Sequence, residues 1–519
     1  MKIARRTTPF ILTLTLLKLT ACLAAEVTLP SIFSDHMVLQ RELANPVWGW
    51  ADPGESISVS INGQTQTTTA DSDGTWRLVL SPMPAGGPYT LEVLGQSQRK
   101  TFSDVLVGEV WICSGQSNME FRMRAINNSE LEMLTANNPQ IRLLAIERVG
   151  TQEPQKDIKG QWALCTPESV RNFSAIGYFF GERLERILGV PIGLIGNSWG
   201  GADALAYVPR EKLEANPAFA ESLEKWKAKV AAYTDDVHEK EVERYQAERK
   251  KYIANGRRGN PPQNVYDPRV GQHRPSNIYN GMVYPIIGYG IRGIIWYQGE
   301  TNAGRAVEYQ QLFPLVINNM REDWGQGDFP FYWIQLADFR AEDDEPSDST
   351  WAELRESQTM TMNSVPNTGQ AVIIDVGESF EIHPLNKRVP ADRLVCWALA
   401  NDYGFTDIPY ESPQFESMEI EDGKVHVYFY PVNKGLYPYD SKEVKGFAIA
   451  GSDGKFVWAN AKIVANDEVL VWSDEVAEPV AIRYAWGSNP IANLYDGHGG
   501  LPVTPFRTDN GILSSSAEE

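Results

Sequence analysis

Cysteine is scarce in this chain, four in 519 residues. None stands at Cys-x-x-Cys spacing, which excludes a disulfide framework and the common zinc patterns. Setting Cys22 aside leaves Cys113, Cys165 and Cys396, an odd set that reads as buried small apolar residues with room for one bridge. Histidine is also thin, six in all, and no His-Glu-x-x-His occurs. Past the N-terminus no stretch approaches the ~20 apolar residues that cross a bilayer. Positive charge is in deficit: 47 Lys plus Arg stand against 67 Asp plus Glu, a net charge of −20. Such a surface repels nucleic-acid phosphates and anionic lipid, so neither is expected as a partner. An anionic substrate would require a local basic pocket.

What is present begins with an export pattern. Lys2, Arg5 and Arg6 precede the apolar run Phe10 to Leu17, and "LTACLAAE" offers small residues for cleavage, so residues 1–25 read as a signal peptide. Two outcomes stay open. Leu19-Thr20-Ala21-Cys22 has the form of a lipobox, which would anchor a lipid on Cys22, whereas cleavage near Ala25 releases a soluble periplasmic or secreted protein.

A chain of this length exceeds one hydrophobic core. Residues 26–105 alternate apolar and polar positions between Asp-Pro-Gly, Asn-Gly and Gly-Gly-Pro turns, the pattern of a small β-sandwich. From 106 to 409 short apolar runs ending in glycine or polar residues alternate with amphipathic stretches such as "SAIGYFFGERLERILG". That alternation predicts a mostly parallel sheet covered by helices, with ligands beyond the carboxyl ends of its strands. Residues 210–262 are charge-rich and helix-forming, an insertion with a solvated face or, on the sharper reading, a lid. "RAEDDEPSDST" (340–350) reads as a solvated acidic loop. Residues 410–519 return to β character and are expected to complete or pack against the N-terminal sandwich.

Four strand-terminal clusters carry chemistry: Gly115-Gln116-Ser117-Asn118, Asn197-Ser198-Trp199-Gly200-Gly201, Gln298-Gly299-Glu300-Thr301-Asn302 and Glu381-Ile382-His383-Pro384. Parallel strands would bring them to one edge. Together they supply a hydroxyl, an imidazole, carboxylates, amide side chains and backbone N–H groups beside glycines, an inventory suited to acyl transfer. A serine hydroxyl needs a base to take its proton. The oxyanion needs prearranged donors, to which Gln298 or Asn118 could add. His36 and His426 lie in β-like segments, His238 in the charged insertion, and His273 and His498 in loops without a neighbouring acid, which leaves His383 as the leading base.

The stretches "GQSNMEF", "SWGG", "IWYQGETNA" and "IHPLNK" resemble the sialate O-acetylesterase family, a branch of the SGNH/GDSL hydrolases that includes acetylxylan esterases. The resemblance continues through "SIFSDHMVLQRELANPVWGWADPGE" and "NLYDGHGGLPVTPFRTD". It implies an α/β fold, an SGNH-type three-layer hydrolase domain with a mostly parallel sheet and flanking β-sandwich regions. It further implies Ser117 as nucleophile with its own N–H in the oxyanion hole, Gly200 or Gly201 as a backbone donor, Gln298 as a side-chain donor and His383 as base. The wider superfamily favours an aspartate three residues before the histidine, where this chain has Phe380. Glu381 and Glu300 therefore both stand as the third member, Asp375 as loop support, and a Ser-His dyad as a further arrangement. No metal or organic cofactor is implied. The expected activity is removal of O-acetyl groups from sugars, foremost O-acetylated sialic acid. The alternatives are a neutral glycan such as acetylxylan, or a non-catalytic carbohydrate-binding protein. Arg274, Arg292, Arg305 and Arg355 are the candidate cations for an acidic sugar.

Overall fold

A computed structural model describes residues 26–96 and 98–516. The expected signal segment and Cys22 lie outside the described residues. Six N-terminal strands come first: β1 (Val38–Gln40), β2 (Asn45–Trp50), β3 (Ser56–Ile61), β4 (Gln64–Thr69), β5 (Thr75–Leu80) and β6 (Gly86–Leu94). In β2 buried and half-buried positions alternate, as in a strand with one face toward solvent. β7 (Arg99–Gly115) then runs for 17 residues through two environments. Its first part pairs with β6 and β1, and its second part enters the central sheet. The boundary expected at 105/106 thus falls inside one strand, and β1, β3, β4 and β6 belong to the same continuous sheet as the strands that follow.

Those strands are β8 (Asn138–Ala145), β9 (Trp162–Cys165), β10 (Ile192–Ser198), β11 (Gly293–Tyr297), β12 (Phe331–Ile334) and β13 (Thr368–Ala371). Their order is β13-β12-β11-β7-β10-β8-β9, parallel throughout except for the β8–β9 pair. β11 and β12 are buried along their whole length, as required of strands covered on both faces. Alternate residues of these strands face opposite layers. Ile112, Trp296 and Trp333 pack with Phe313 and Leu354 of helices Ala306–Trp324 and Thr350–Ser364. Trp111, Ile295 and Tyr332 pack with Ile176, Phe180 and Leu394 of helices Ala175–Leu188 and Arg388–Asp402. The result is the three-layer α/β arrangement that the resemblance implies, with additional β-sheet toward the C-terminus.

The segment 210–262 contains helices Ala220–Ala232 and Asp235–Ala254, and the second has no buried residue. Among the described residues the C-terminal strands pair with one another alone, in sheets around a separate core to which Val372 and Ile374 of the hydrolase contribute. Their polar links also run to the hydrolase: Arg507 to Glu356 at 2.9 Å, and the amide of Ser514 to Glu353 at 2.8 Å. The expected packing of this tail on the N-terminal strands is replaced by packing on helix Thr350–Ser364, whose carboxylates meet it. Cys113, Cys165 and Cys396 are all free thiols. No helix among the described residues is long and apolar enough to cross a membrane.

Two features of β7 set the geometry of the site. At Gly108 the strand passes so close to the Pro191 carbonyl that an added Cβ would collide with it. At the next residue the fully buried Glu109 carboxylate receives Arg292 at 2.8 Å, Arg41, and the Gln40 amide at 3.1 Å. Burial alone would raise this carboxyl, but hydrogen bonds and charge from Arg292 and Arg41 outweigh it and hold the group below the usual carboxylate range. A depressed folded-state value contributes stability above the unfolded carboxyl range, which is lost as pH falls through the folded value. Glu109→Gln is expected to destabilise by roughly 3 kcal/mol at pH 7, because two guanidinium groups lose their counter-charge. Calorimetric melting of both proteins should show this gap closing at pH well below the ordinary carboxylate range; a gap that does not change with pH contradicts it.

Candidate active site

β7 is the strand at which the order of the central sheet reverses, with β10 on one side and β11 on the other. Open α/β sheets part their loops at such a point and leave a crevice at the carboxyl edge. Gly115, the last residue of β7, pairs with Ser198 and with Tyr297, so three of the four clusters leave the sheet at one level. Its φ is +129°, and a Cβ there would strike the backbone of Tyr297. Only glycine lets the chain turn here into the short helix Ser117–Glu120. Tyr207 Oη donates to the Gly115 carbonyl at 2.6 Å. Gln116 Oε1 accepts from the amides of Gly299 and Thr301 at 3.3 and 3.4 Å, tying the first cluster to the third.

The fourth cluster closes over the edge. His383 Nε2 lies 2.9 Å from Ser117 Oγ, and Nδ1 lies 2.9 Å from Glu381 Oε1. With the proton on Nδ1, the imidazole donates to Glu381 and presents a free lone pair to the serine hydroxyl. The loop bends enough for a carboxylate two residues before the histidine to reach it. Glu381 N–H donates to the Glu378 carbonyl at 3.2 Å, and Leu385 N–H to Glu378 Oε1 at 2.8 Å. The Phe121 ring stacks on the imidazole, centroids 5.8 Å apart and 21° between planes. Phe380, at the position where an aspartate was sought, is 96% exposed. Asp375 is held by Arg393 at 2.6 Å and by Tyr495, away from the imidazole.

Glu300 makes no hydrogen bond to His383. Its Oε1 accepts from Asn118 Nδ2 at 2.6 Å, and its Oε2 is buried without a hydrogen-bond partner among the described residues. Asn118 Nδ2 also donates to the Ile382 carbonyl at 3.0 Å, and its Oδ1 accepts from Lys387 Nζ at 2.5 Å. One amide therefore joins the nucleophile turn, the third cluster and the histidine loop. Lys387 is 1% exposed, its ammonium 4.7 Å from the Phe121 ring centre and 5.7 Å from that of Tyr297. Burial pushes Lys387 down to about 7, opposed by the charges of Glu300, Glu378 and Glu381. Burial likewise raises Glu300, against the Asn118 hydrogen bond and the Lys387 charge.

Three expected oxyanion donors are engaged elsewhere. Gln298 is fully buried, its amide donating to the Ala202 carbonyl at 3.1 Å and to Asn302 Oδ1 at 2.6 Å, so it braces the edge and cannot serve as the side-chain donor. Both Asn118 donors are likewise taken. The Gly200 N–H points to Glu120 Oε2 at 2.7 Å, a carboxylate that also meets Arg148. The amides of Ser117 and Gly201 have no acceptor among the described residues. Sequence reasoning passed over Glu120 and Lys387, although both stand inside the motifs GQSNMEF and IHPLNK. Each is the one residue with a fixed charge in its motif, a signal that went unused. Among the described residues no cluster of three or more His, Cys, Asp or Glu side chains is placed to hold a metal.

Asn118→Ala removes the hydrogen-bond donor to Glu300 Oε1 and the acceptor of Lys387 Nζ, leaving a carboxylate and a buried ammonium without those partners. The expected cost is on the order of 2–4 kcal/mol, seen as a lower melting temperature. Ester hydrolysis should fall as well, because Ile382 next to His383 loses its anchor. Unchanged melting would show that Asn118 does not brace the site.

Comparison with known proteins fits this geometry. Residues 266–376 match the family described as carbohydrate esterase, sialic acid-specific acetylesterase. The human sialate O-acetylesterase is 29% identical, over 92% of this chain and 91% of its own length. The mouse protein of the same name is 28% identical, over 92% and 93% respectively. The crystal structure of a carbohydrate acetylesterase from Xanthomonas citri superposes with a TM-score of 0.78 at 36% identity, covering 94% of this chain and 100% of that one. The chain belongs to the sialate O-acetylesterase family and is a carboxylic ester hydrolase.

Proposed function

We propose that the enzyme removes O-acetyl groups from sugars, sialic acid foremost, by acyl transfer through Ser117. The observation that carries this reading is the unbroken chain Ser117 Oγ, His383 Nε2, His383 Nδ1, Glu381 Oε1, with both contacts at 2.9 Å. Ser117 Oγ attacks the acetyl carbonyl carbon while His383 Nε2 takes its proton. Backbone N–H groups of Ser117 and Gly201 receive the developing oxyanion, each such donor being worth roughly 2.7–4 kcal/mol of barrier. His383 then protonates the sugar oxygen, which departs as the alcohol. Water, activated by the same imidazole, attacks the acetyl-enzyme, and acetate leaves as the serine is restored. Glu381 holds the imidazole tautomer and balances its positive charge. Glu300 and Lys387 position the loops around this chain. Sialic acid as the sugar is supported by the name of the matched family and of the human and mouse relatives. The reading includes an exported chain, with 106–409 as the hydrolase unit.

Acetate release from O-acetylated sialic acid and from acetylated xylan, measured side by side, tests this. Ser117→Ala should lower kcat by about 10⁴-fold or more. Glu381→Gln is expected to lower it by on the order of 10²–10⁴ and Glu300→Gln by less, since a glutamine at 300 still accepts from Asn118. A Glu300 variant more damaged than the Glu381 variant would transfer the orienting role to Glu300. A Ser117→Ala protein as active as wild type refutes the mechanism.

A further inference from the structure

A surface with net charge −20 needs a dedicated cation if it is to hold an acidic sugar. Three of the four candidate arginines are unsuited to that role. Arg355 is fully buried and donates to the carbonyls of Leu336, Ala337, Gly487 and Ser488. Arg292 is the partner of Glu109. Arg274 donates to the Arg269 carbonyl and lines a different cleft.

Arg305 lines a cavity of about 380 Å³ together with Asp203, Lys225, Trp226, Lys229 and His273. Three cations face it against one carboxylate. Arg305 is paired with Asp203 and Glu308, and Lys225 with Glu221. Lys229 has no carboxylate partner among the described residues. Its ammonium lies 4.6 Å from the Trp226 ring centre and 5.5 Å from that of Tyr266, aromatic contacts that hold a cation in place without neutralising it. His273 adds no fixed charge. Burial pulls its imidazole below the ordinary value; the Asp203 charge and a backbone hydrogen bond at Gly201 oppose this, and the Lys229 and Arg305 charges reinforce it.

The cavity adjoins the reacting serine through one turn. A Cβ on Gly200 would stand 3.5 Å from Ser117 Cβ, while one on Gly201 would stand 3.6 Å from His273 Nε2. Gln272, next to His273, donates to the Gly200 carbonyl at 3.1 Å, and Thr301 Oγ1 donates to the Gly201 carbonyl at the same distance. Ser117 and the cavity thus lie against adjacent residues of a two-glycine turn. Trp226 and both lysines come from helix Ala220–Ala232 of the 210–262 segment.

We propose that this cavity is the subsite for the carboxylate-bearing end of an acidic acetylated sugar, with Lys229 as its counter-charge and Trp226 as an apolar face for the ring. The assignment rests on the acyl-transfer reading of Ser117 and adds the source of selectivity for acidic over neutral sugars. A carboxylate and an ammonium form a charge-assisted hydrogen bond, and the aromatic face takes the C–H side of the sugar. The helical segment then has a function as one wall of the substrate site.

The test uses the full chain as wild type, Lys229→Ala, Lys229→Glu and Ser117→Ala; Lys229 is exposed on its helix, so neither change there disturbs the core. Steady-state kinetics are measured on O-acetylated sialic acid and on 4-nitrophenyl acetate, and binding of free sialic acid is measured by calorimetry. Lys229→Ala should raise KM for the acidic sugar and weaken free sialic acid about fivefold, the scale of one partly exposed ion pair. Lys229→Glu should raise both further, while kcat and the aryl ester kinetics stay within about twofold of wild type. Unaltered KM and unaltered sialic acid binding in both variants, or equal changes for acidic and neutral substrates, would overturn the subsite. Wild type that hydrolyses the aryl ester through Ser117 but neither binds nor prefers the acidic sugar overturns it too, leaving the esterase reading intact. Aryl ester hydrolysis that survives Ser117→Ala defeats the esterase reading instead, and the calorimetric comparison still judges the subsite.

Discussion

Everything in the site depends on how β7 is held. The strand begins among the N-terminal strands, passes the Pro191 carbonyl at Gly108 and is pinned at Glu109 by two arginines. It ends at Gly115 between Ser198 and Tyr297. A buried carboxylate with two guanidinium partners tolerates little sliding, because any shift would leave charge uncompensated in a region of low dielectric. The register fixed there carries forward six residues to Gly115, where the positive φ aims the next turn out of the sheet. The N-terminal strands therefore share in positioning the serine, since they and the central strands form one hydrogen-bonded sheet.

Around that turn the polar groups sort into two sets with different surroundings. Ser117, His383 and Glu381 form a partly solvated line at the rim, the histidine side chain 31% and the glutamate 50% exposed. Asn118, Glu300 and Lys387 form a buried set beneath it, in which each member limits the movement of a different loop. The rim is open to solvent. Burial below makes each lost hydrogen bond costly and so keeps the rim groups at fixed separations. Helix Ala220–Ala232 walls a third region, the cavity beside Gly201, where Lys225, Lys229 and Arg305 face one carboxylate, Asp203.

Several placements were legible in the chain, and others were not, for reasons that differ residue by residue. The serine turn and the histidine loop stood out because each follows an apolar run with glycine or proline beside it, a pattern that survives without coordinates. Glu381 and Glu300 could not be told apart, because the choice depends on whether the loop after Asp375 bends, and that bend is made by Glu378 accepting from the amides of Glu381 and Leu385. Gln298 and Asn118 were chosen as oxyanion donors by residue type alone. An amide in the sequence announces two donors but not their acceptors, and here the Ala202 and Ile382 carbonyls, Asn302 and Glu300 take them. His273 looked idle for the same reason: its neighbours Asp203 and Lys229 are distant in the chain and near only in space.

Local pattern thus determined the strands, the helices, the parallel sheet and which polar side chains stand at its carboxyl edge, because periodicity and turn chemistry act over a few residues. Three things were decided by tertiary structure alone. They are which carboxylate meets His383, where the C-terminal tail docks, and the gathering of Trp226, Lys229, His273 and Arg305 around one cavity beside Gly201. Each depends on groups tens to hundreds of residues apart, or on the exact bend of a loop, and hydrogen bonds and charges at such separations are set by packing that no single stretch of chain contains.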